Sequence, residues 1–248
     1  MKQVLLVTGG SRGIGAATAV LAAARGYAVA VNYVSNEAAA QEVVRRIREA
    51  GGEALAVAGD VAQEADVLRL FEQVDAGLGR LTALVNNAGV VDVTARVEDM
   101  SVQRLHRMFD INVIGTILCA REAIRRMSTR HGGAGGAIVN VSSAASRLGS
   151  PGQYVDYAAA KGAVDAFTMG LAREVAAEGI RVNAVRPGLI DTEIHASGGI
   201  PDRVRQLAHH VPMQRGGTAD EVAEAILWLL SPQASYATMS FVEVSGGR

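Results

Sequence analysis

Short apolar runs alternate with longer segments of helical period from one end of the chain to the other. The runs are mostly continuous Val, Leu and Ala, which is typical of strands buried on both faces of a parallel sheet. They predict strands at 3–7, 28–33, 54–58, 82–86, 137–142, 180–186 and 240–244. The segments between them predict helices near 13–25, 36–50, 63–78, 101–111, 113–130, 153–178 and 219–230.

This alternation of strand and helix predicts a doubly wound α/β fold of the Rossmann type, with a parallel sheet and helices on both faces. The sequence contains no internal repeat, low-complexity tract or linker, so residues 1–248 are interpreted as a single domain. One connection, 187–218, is unusually long and rich in Gly and Pro. Because it follows the carboxyl end of a strand, we predict a substrate lid at about 189–216, in which His195 is a candidate substrate contact.

Composition and charge exclude several classes of protein. The 24 basic and 25 acidic residues give a formal net charge of -1, which argues against a general nucleic-acid binder and a polybasic membrane anchor. No apolar run reaches the length of a membrane span, and the run at 1–7 is too short for a signal peptide. The single cysteine, Cys119, cannot form an internal disulfide and fits a reducing cytosol. We therefore expect a cytoplasmic protein.

A glycine-rich loop at residues 8–15 (Thr-Gly-Gly-Ser-Arg-Gly-Ile-Gly) joins the first strand to the first helix. Its glycines allow a tight turn and let phosphates approach the helix N-terminus, where N–H groups and the helix dipole favour anions. The spacing Gly-x3-Gly-x-Gly differs from the G-x-G-x-x-G of the standard dinucleotide fingerprint. A plain strand-to-helix turn is the alternative for the glycines alone. The predicted cofactor contacts here are Gly9, Ser11, Arg12, Gly13, Ile14 and Gly15.

Two further motifs lie at strand ends, where an open α/β sheet binds its ligand. Asn87, Ala88 and Gly89 close the fourth strand, and their small side chains permit close approach of a ring or a ribose. Asp60 and Val61 follow the third strand, where an acid can accept from an adenine amino group. A helix N-cap is the equally weighted alternative for Asp60.

The residues after the second strand bear on the choice between NAD and NADP. An NAD site needs an acid here for the ribose 2′-hydroxyl, whereas an NADP site uses cationic or neutral donors. The strand ends with Asn32, Tyr33 and Ser35, and no acid occurs before Glu37. Arg12 in the glycine loop is positioned to reach a 2′-phosphate. We therefore predict an NADP(H) site at these residues, with NAD(H) as the alternative.

Lysine usage singles out one helix. Of the 24 basic residues 22 are arginine, and the only lysines are Lys2 and Lys161. Lys161 follows Tyr157 by four residues in a predicted helix, so both side chains share one face. A cation at that distance stabilises a phenolate and brings the tyrosine pKa toward the working pH. The pair predicts acid/base chemistry by Tyr157.

A carbonyl that receives hydride needs a second hydrogen-bond donor at its oxygen. Ser142 and Ser143 end the fifth strand, directly before the loop 144–152 that leads to Tyr157. This order places a hydroxyl donor near the predicted acid/base.

Together these motifs resemble the short-chain dehydrogenases/reductases over essentially the whole chain. The matching motifs occur in the family's order: Thr-Gly-x3-Gly-x-Gly, Asn-Asn-Ala-Gly, Asn112 in Asn-Val-Ile-Gly, Ser143, Tyr157-x3-Lys161 and Arg186-Pro187-Gly188. The resemblance implies that Tyr157 is the general acid/base and that Ser143, rather than Ser142, orients the carbonyl. It also implies that Lys161 binds the nicotinamide ribose and lowers the tyrosine pKa, and that Asn112 holds a water in a proton relay.

The resemblance carries further expectations. It implies a seven-stranded sheet, a homotetramer, and a nicotinamide that lies against Pro187, Gly188, Ile190 and Thr192. We expect an NADP(H)-dependent oxidoreductase that interconverts a secondary alcohol and a ketone of a small-molecule substrate. A sugar or glucose-type dehydrogenase and a 3-oxoacyl-[acyl-carrier-protein] reductase stay open, the latter using Arg130 and Arg173 to meet an acidic carrier. A non-catalytic dinucleotide sensor is the alternative from another class, and no metal site is expected.

Overall fold

The computed structural model describes residues 2–194, 198–200 and 202–248. Within them, all seven predicted strands form one parallel sheet in the order β3-β2-β1-β4-β5-β6-β7. The strands are β1 (Gln3–Val7), β2 (Tyr27–Tyr33), β3 (Ala54–Ala58), β4 (Ala83–Asn86), β5 (Gly136–Val141), β6 (Ile180–Pro187) and β7 (Phe241–Val244). The order reverses between β1 and β4, which opens a crevice at the carboxyl ends of these strands.

Helices connect the strands and cover both faces of the sheet. In the described residues they are α1 (Gly13–Ala24), α2 (Glu37–Glu49), α3 (Glu64–Leu78), α4 (Val102–Phe109), α5 (Gly115–Met127), α6 (Ala145–Leu148), α7 (Val155–Val175), α8 (Arg203–Leu207) and α9 (Ala219–Leu230). One-turn 3-10 helices occur at Val97–Asp99, Thr129–His131, Ala176–Glu178, Ala208–His210 and Pro232–Ala234.

The core consists of one apolar layer on each face of the sheet. Leu5 and Leu6 in β1 are both fully buried, but they belong to opposite layers because successive strand residues alternate between faces. Leu6 packs in the layer that contains Phe71 of α3, and Leu5 packs in the layer that contains Ile226 of α9. Burial on both faces explains why the strands are continuous apolar runs rather than alternating ones.

Several helix boundaries differ from the sequence prediction, including 153–178, where the helix spans Val155–Val175. The predicted break between helices at residue 112 is a π-helical turn, Asp110–Ile114, that joins α4 directly to α5. The predicted helix 113–130 ends at Met127, because the Ser128 side chain accepts from the N–H of Arg130 and caps a separate 3-10 turn. The π-turn matters for function because it contains Asn112.

Two backbone hydrogen bonds join the beginning and the end of the long connection between β6 and α9. The N–H of Asp191 donates to the carbonyl of Gly217 (2.9 Å), and the N–H of Gly217 donates to the carbonyl of Leu189 (2.9 Å). Between these points the chain forms α8 and passes Gly198 near the Tyr154 hydroxyl. The predicted contact His195 lies outside the described residues.

Candidate active site

The glycine loop is a close-packed cradle. Gly9 has a left-handed φ of 59°, which glycine adopts without strain. A Cβ on Gly15 would lie 2.4 Å from the Gly9 carbonyl oxygen and 2.5 Å from Nδ2 of Asn87, so only glycine fits there. Arg12, the residue before α1, is exposed and makes no side-chain cap. The loop therefore brings backbone close to any ligand at the helix N-terminus and leaves Arg12 at its rim.

Hydrogen bonds join the residues after β4 to the glycine loop. Asn87 Nδ2 donates to the carbonyls of Thr8 (2.9 Å) and Gly9 (3.0 Å), and the Ala88 N–H donates to Thr8 Oγ1 (3.0 Å). A Cβ on Gly89 would lie 2.8 Å from Asn112 Oδ1 and 3.5 Å from Lys161 Nζ. This small-residue turn thus separates the glycine loop from the predicted catalytic lysine.

The predicted contacts near β2 and β3 fall into two groups. Asn32 is buried: its Oδ1 accepts from the Gly9 N–H (3.1 Å) and its Nδ2 donates to the Gly59 carbonyl (2.9 Å). These bonds join the glycine loop to the turn after β3. Tyr33 is partly exposed, and Ser35 is exposed.

Asp60 and Val61 follow β3. The alternative role of Asp60 as a helix N-cap is wrong, because α3 begins only at Glu64, after Gln63. Asp60 Oδ1 instead accepts from the Ala62 N–H (3.0 Å) and tightens the turn. Val61 is buried beneath Gly115.

Lys161 is buried on α7 and faces the end of β5. Its Nζ donates to the Val141 carbonyl (2.7 Å) and lies 5.6 Å from the centre of the Tyr157 ring. Burial lowers the pKa of Lys161 to about 8, and the charge of Asp165 opposes this decrease. Lys161 therefore loses its proton at a pH closer to neutral than an exposed lysine does.

Tyr157 and Ser143 interact across the cavity. Burial raises the pKa of Tyr157 to about 12, and a side-chain hydrogen bond with Ser143 partly offsets this rise. Ser143 Oγ also accepts from the Ala145 N–H (3.1 Å), which orients the hydroxyl. The net direction differs from the expected lowering, because burial is the largest influence on the phenol and the Lys161 ammonium donates to the Val141 carbonyl. Stabilisation of the phenolate by Lys161 stays a prediction.

The two adjacent serines have different partners. Ser142 is buried, and its Oγ donates to Asp165 Oδ1 (2.6 Å). Asp165 Oδ2 pairs with Arg186 (3.0 Å), which also pairs with Glu243 (2.9 Å). Ser142 thus belongs to a charged network behind Lys161, while Ser143 faces Tyr157. This division agrees with the choice of Ser143.

Asn112 is fully buried in the π-turn. Its Nδ2 donates to the carbonyls of Met108 (2.9 Å) and Val90 (3.1 Å), and its Oδ1 accepts from the Val90 N–H (3.2 Å). Its side chain therefore fastens the segment after β4 to α4, and a water held by Asn112 stays a prediction.

One open cavity of about 170 Å³ brings many of these residues together. Ten predicted site residues line it: Ile14, Asn87, Gly89, Ser143, Tyr157, Lys161, Pro187, Gly188, Ile190 and Thr192. Other predicted residues lie in the glycine loop and at the ends of β2 and β3, along the crevice that continues from the cavity. The cavity also contains residues that the sequence did not single out, including Tyr154, Leu148 and Arg203. Arg203 was missed because only the fold of the connection brings α8 to the cavity.

Comparison with known proteins agrees with this geometry. A family model described as Enoyl-(Acyl carrier protein) reductase matches residues 9–248. A short-chain dehydrogenase/reductase double mutant from Serratia marcescens has a TM-score of 0.89 at 34% identity and covers 99% of this chain and 97% of that one. The chain belongs to the short-chain dehydrogenase/reductase family. It is an oxidoreductase of that family, whose members use NAD(P)(H).

Two relatives in this family are similar over nearly their whole length. The chain is 57% identical over 245 residues to the uncharacterized oxidoreductase YgfF of Escherichia coli K12, covering 99% of both. It is 42% identical over 249 residues to cis-4-hydroxycyclohexanecarboxylate dehydrogenase of Sinomonas cyclohexanicum, covering 99% of this chain and 96% of the relative.

Metal-binding clusters and membrane-spanning helices are both absent from the described part of the chain. No group of three or more His, Cys, Asp or Glu residues there has an arrangement that would hold a metal ion. Among the same residues, no helix has the length and apolar character needed to cross a membrane.

Proposed function

We propose that the protein is an NADP(H)-dependent oxidoreductase that interconverts a secondary alcohol and a ketone. The observation that carries the proposal is the meeting of Ser143, Tyr157 and Lys161 in one cavity with Pro187 and Gly188. The first three supply a donor, an acid/base and a cation, and the last two lie at the carboxyl end of β6, where ligands of open α/β sheets bind.

The glycine cradle fits a dinucleotide. The tight turn that Gly15 permits leads into the N-terminus of α1, whose free N–H groups and dipole suit a pyrophosphate. Gly13 lies near Thr192, so the phosphate end and the connection after β6 approach each other. When bound, the nicotinamide cofactor supplies or takes up the hydride. We assign Pro187 and Ile190 to the nicotinamide end of the site.

NADP(H) is favoured because of charge at the rim of the cradle. Arg12 is exposed at the start of α1, and the chain after β2 offers the exposed Ser35 rather than an acid. Glu37 is in the first turn of α2, where an acid interacts favourably with the helix dipole. A 2′-phosphate would therefore meet a cation and a hydroxyl. NAD(H) stays the alternative.

In the reductive direction, Tyr157 donates the phenolic proton to the carbonyl oxygen. Ser143 donates a hydrogen bond to the same oxygen and holds it toward Tyr157. The phenolate left on Tyr157 is stabilised by the Lys161 ammonium and regains a proton from solvent. Oxidation of an alcohol reverses these transfers, with Tyr157 as the base.

A cofactor titration tests the first half of this proposal. We expect NADPH to bind more tightly than NADH, and Arg12→Ala to weaken NADPH binding about ten- to hundredfold because a charge-assisted contact is lost. Arg25→Ala, at the opposite end of α1 and exposed, is the matched control and keeps full affinity. Equal affinity for both cofactors, insensitive to Arg12, contradicts the NADP(H) assignment.

A turnover assay tests the second half. Wild type and Tyr157→Phe are compared on a panel of ketones with saturating NADPH. Loss of the proton donor is expected to lower kcat about 10²–10⁴-fold with the cofactor affinity unchanged. Cofactor binding without turnover of any ketone or alcohol would favour the dinucleotide sensor instead.

A 3-oxoacyl-[acyl-carrier-protein] reductase is the second candidate, favoured by the 38% identity over 246 residues to the 3-oxoacyl-[acyl-carrier-protein] reductase of Synechocystis. Docking an acidic carrier requires an unpaired basic surface. Arg130 is exposed but pairs with Glu178 (3.0 Å), whereas Arg173 is exposed on α7. Faster reduction of a 3-oxoacyl group on the carrier than on a short thiol, abolished in Arg173→Glu, would support this candidate.

We further propose a homotetramer. Large apolar side chains are exposed on α4, α5, α7 and the π-turn between α4 and α5: Leu105, Phe109, Ile114, Ile117 and Met169. Trp228 on α9 is 46% exposed, which suits a subunit contact and rules out the core. Light scattering that gives a monomer at assay concentration would contradict this. We retain a cytoplasmic location, which the single buried cysteine fits.

A further inference from the structure

The substrate side of the cavity contains an arginine that the proposed reaction does not use. Arg203 begins α8 in the connection after β6, and it lines the same cavity as Ser143, Tyr154 and Tyr157. Arg203 is partly exposed, and a guanidinium partly withdrawn from water favours an anionic partner. Its surroundings therefore bear on the chemistry of the substrate.

Within the described residues, the side-chain partners of Arg203 are neutral. Its Nη2 donates to Gln153 Oε1 (2.5 Å), and its guanidinium carbon lies 5.1 Å from the centre of the Tyr154 ring. The Gln153 contact and the cation–π contact orient the guanidinium but do not neutralise it. A guanidinium has five N–H donors in a planar fork, of which this hydrogen bond engages one.

The charge of the cavity has one sign. Among the described residues that line it, Lys161, Arg203 and Arg248 are basic, and none is acidic. The Lys161 ammonium contacts the end of β5 and takes part in the proposed proton transfer. Of the other two cations, Arg203 is the one that contacts Tyr154, next to α7, and we place it at the substrate end.

Arg203 is linked to the reacting end of the cavity through Tyr154. Tyr154 immediately precedes α7 and lies three residues before Tyr157. The Arg203 guanidinium carbon is 5.1 Å from the centre of the Tyr154 ring, and Tyr154, Tyr157 and Arg203 line the same cavity. A small substrate that carries both a ketone and an anionic group therefore suits this site.

We propose that Arg203 binds a carboxylate of the substrate, so that the enzyme acts on oxo acids and the corresponding hydroxy acids. A carboxylate matches the planar fork of arginine with two parallel hydrogen bonds and supplies the missing negative charge. This inference rests on the proposed function for the reaction itself. The assignment of Arg203 as a specificity residue is tested independently of turnover.

The first experiment measures binding by calorimetry to the NADPH-saturated protein, with pentanoate and its neutral isostere pentanamide as probes. Wild type is expected to bind pentanoate about ten- to hundredfold more tightly than the amide. Arg203→Gln loses this preference, and Arg203→Lys keeps part of it, because a point charge remains without the fork. Equal binding of the two probes by wild type, or a preference that survives in Arg203→Gln, overturns the inference.

A matched control is available on the same helix. Arg205 is exposed and pairs with Asp202 (2.9 Å), so Arg205→Gln makes the same change of charge away from the cavity. It should leave the carboxylate preference unchanged. A loss of preference equal to that of Arg203→Gln would mean that general charge, rather than Arg203, attracts the probe. Unchanged NADPH affinity shows that each variant is folded.

The second experiment separates this inference from the proposed function. NADPH-dependent reduction is compared for 4-oxopentanoate and its methyl ester, which keeps the ketone but removes the charge. We expect kcat/KM to favour the acid about tenfold or more in wild type and the two substrates to be equal in Arg203→Gln. Equal rates in wild type overturn the carboxylate inference alone. If neither compound nor any ketone of the panel reacts, the proposed function fails, while the calorimetry still decides the role of Arg203.

Discussion

The pKa of Lys161 depends on the charged network behind it, and removing one carboxylate tests this. Asp165 lies four residues after Lys161 on α7, and its charge raises the pKa that burial lowers to about 8. Asp165 also accepts from Ser142 and pairs with Arg186. Asp165→Asn removes the charge and keeps the shape, so we expect the pKa of Lys161 to fall further.

The size of this change follows from the helix geometry. Side chains four residues apart share one face of a helix, and two unit charges about 6 Å apart interact by about 3 kcal/mol at an effective dielectric constant of about 20. That energy corresponds to about 2 pH units. Because Arg186 already neutralises part of the Asp165 charge, we expect a decrease of about 1 unit.

The chain itself makes the assay simple. It contains two lysines, Lys2 and Lys161, so selective ¹⁵N-lysine labelling gives two side-chain signals that Lys2→Arg assigns. Each pKa is read from an NMR titration in wild type, Asp165→Asn and Glu243→Gln. The last variant also removes a carboxylate from Arg186, but Glu243 is on β7.

The sign of the effect separates electrostatics from a structural role. If Asp165 acts on Lys161 by charge, only Asp165→Asn lowers the pKa, and the ammonium is lost at a lower pH. A Lys161 pKa near 10.5 in wild type would refute the burial argument. An equal shift in Asp165→Asn and Glu243→Gln would refute the direct role of Asp165.

Two further predictions concern stability. Gly15→Ala should weaken NADPH binding at least tenfold and destabilise the fold by about 1–3 kcal/mol, because the new Cβ overlaps the Gly9 carbonyl. Unchanged NADPH affinity and an unchanged thermal unfolding temperature would contradict the close packing of the glycine loop. Arg104→Met should cost about 3–5 kcal/mol in chemical denaturation, because it leaves the buried Asp156 unpaired, and a loss below about 1 kcal/mol would show that solvent reaches the pair.

The sequence predicted the elements of the sheet closely. Each predicted strand agrees with the structure to within one residue at either end, because strands buried on both faces must be continuously apolar. The motifs at the carboxyl ends also converge on one crevice, as the topology of an open sheet requires. The choice between Ser142 and Ser143 came from the family resemblance, and the structure agrees through their different partners.

Other features depend on contacts that a linear pattern does not contain. The π-turn at Asn112 depends on hydrogen bonds between its amide and Met108 and Val90, which no periodicity encodes. The Tyr157 pKa was expected to fall because a cation lies one turn away. Burial of the phenol raises the Tyr157 pKa instead, and the Lys161 ammonium donates to the Val141 carbonyl. Arg203 could not be found because the path of its connection sets its position.

The most direct test of the account follows the hydride and the proton together. NADPH deuterated at the transferred position of the nicotinamide is mixed with enzyme and a ketone that wild type reduces, and the alcohol is analysed by mass spectrometry. The account predicts one deuterium on the carbinol carbon, at a single-turnover rate that falls about 10²–10⁴-fold in Tyr157→Phe. An alcohol without deuterium, or an equal rate in Tyr157→Phe, would contradict it.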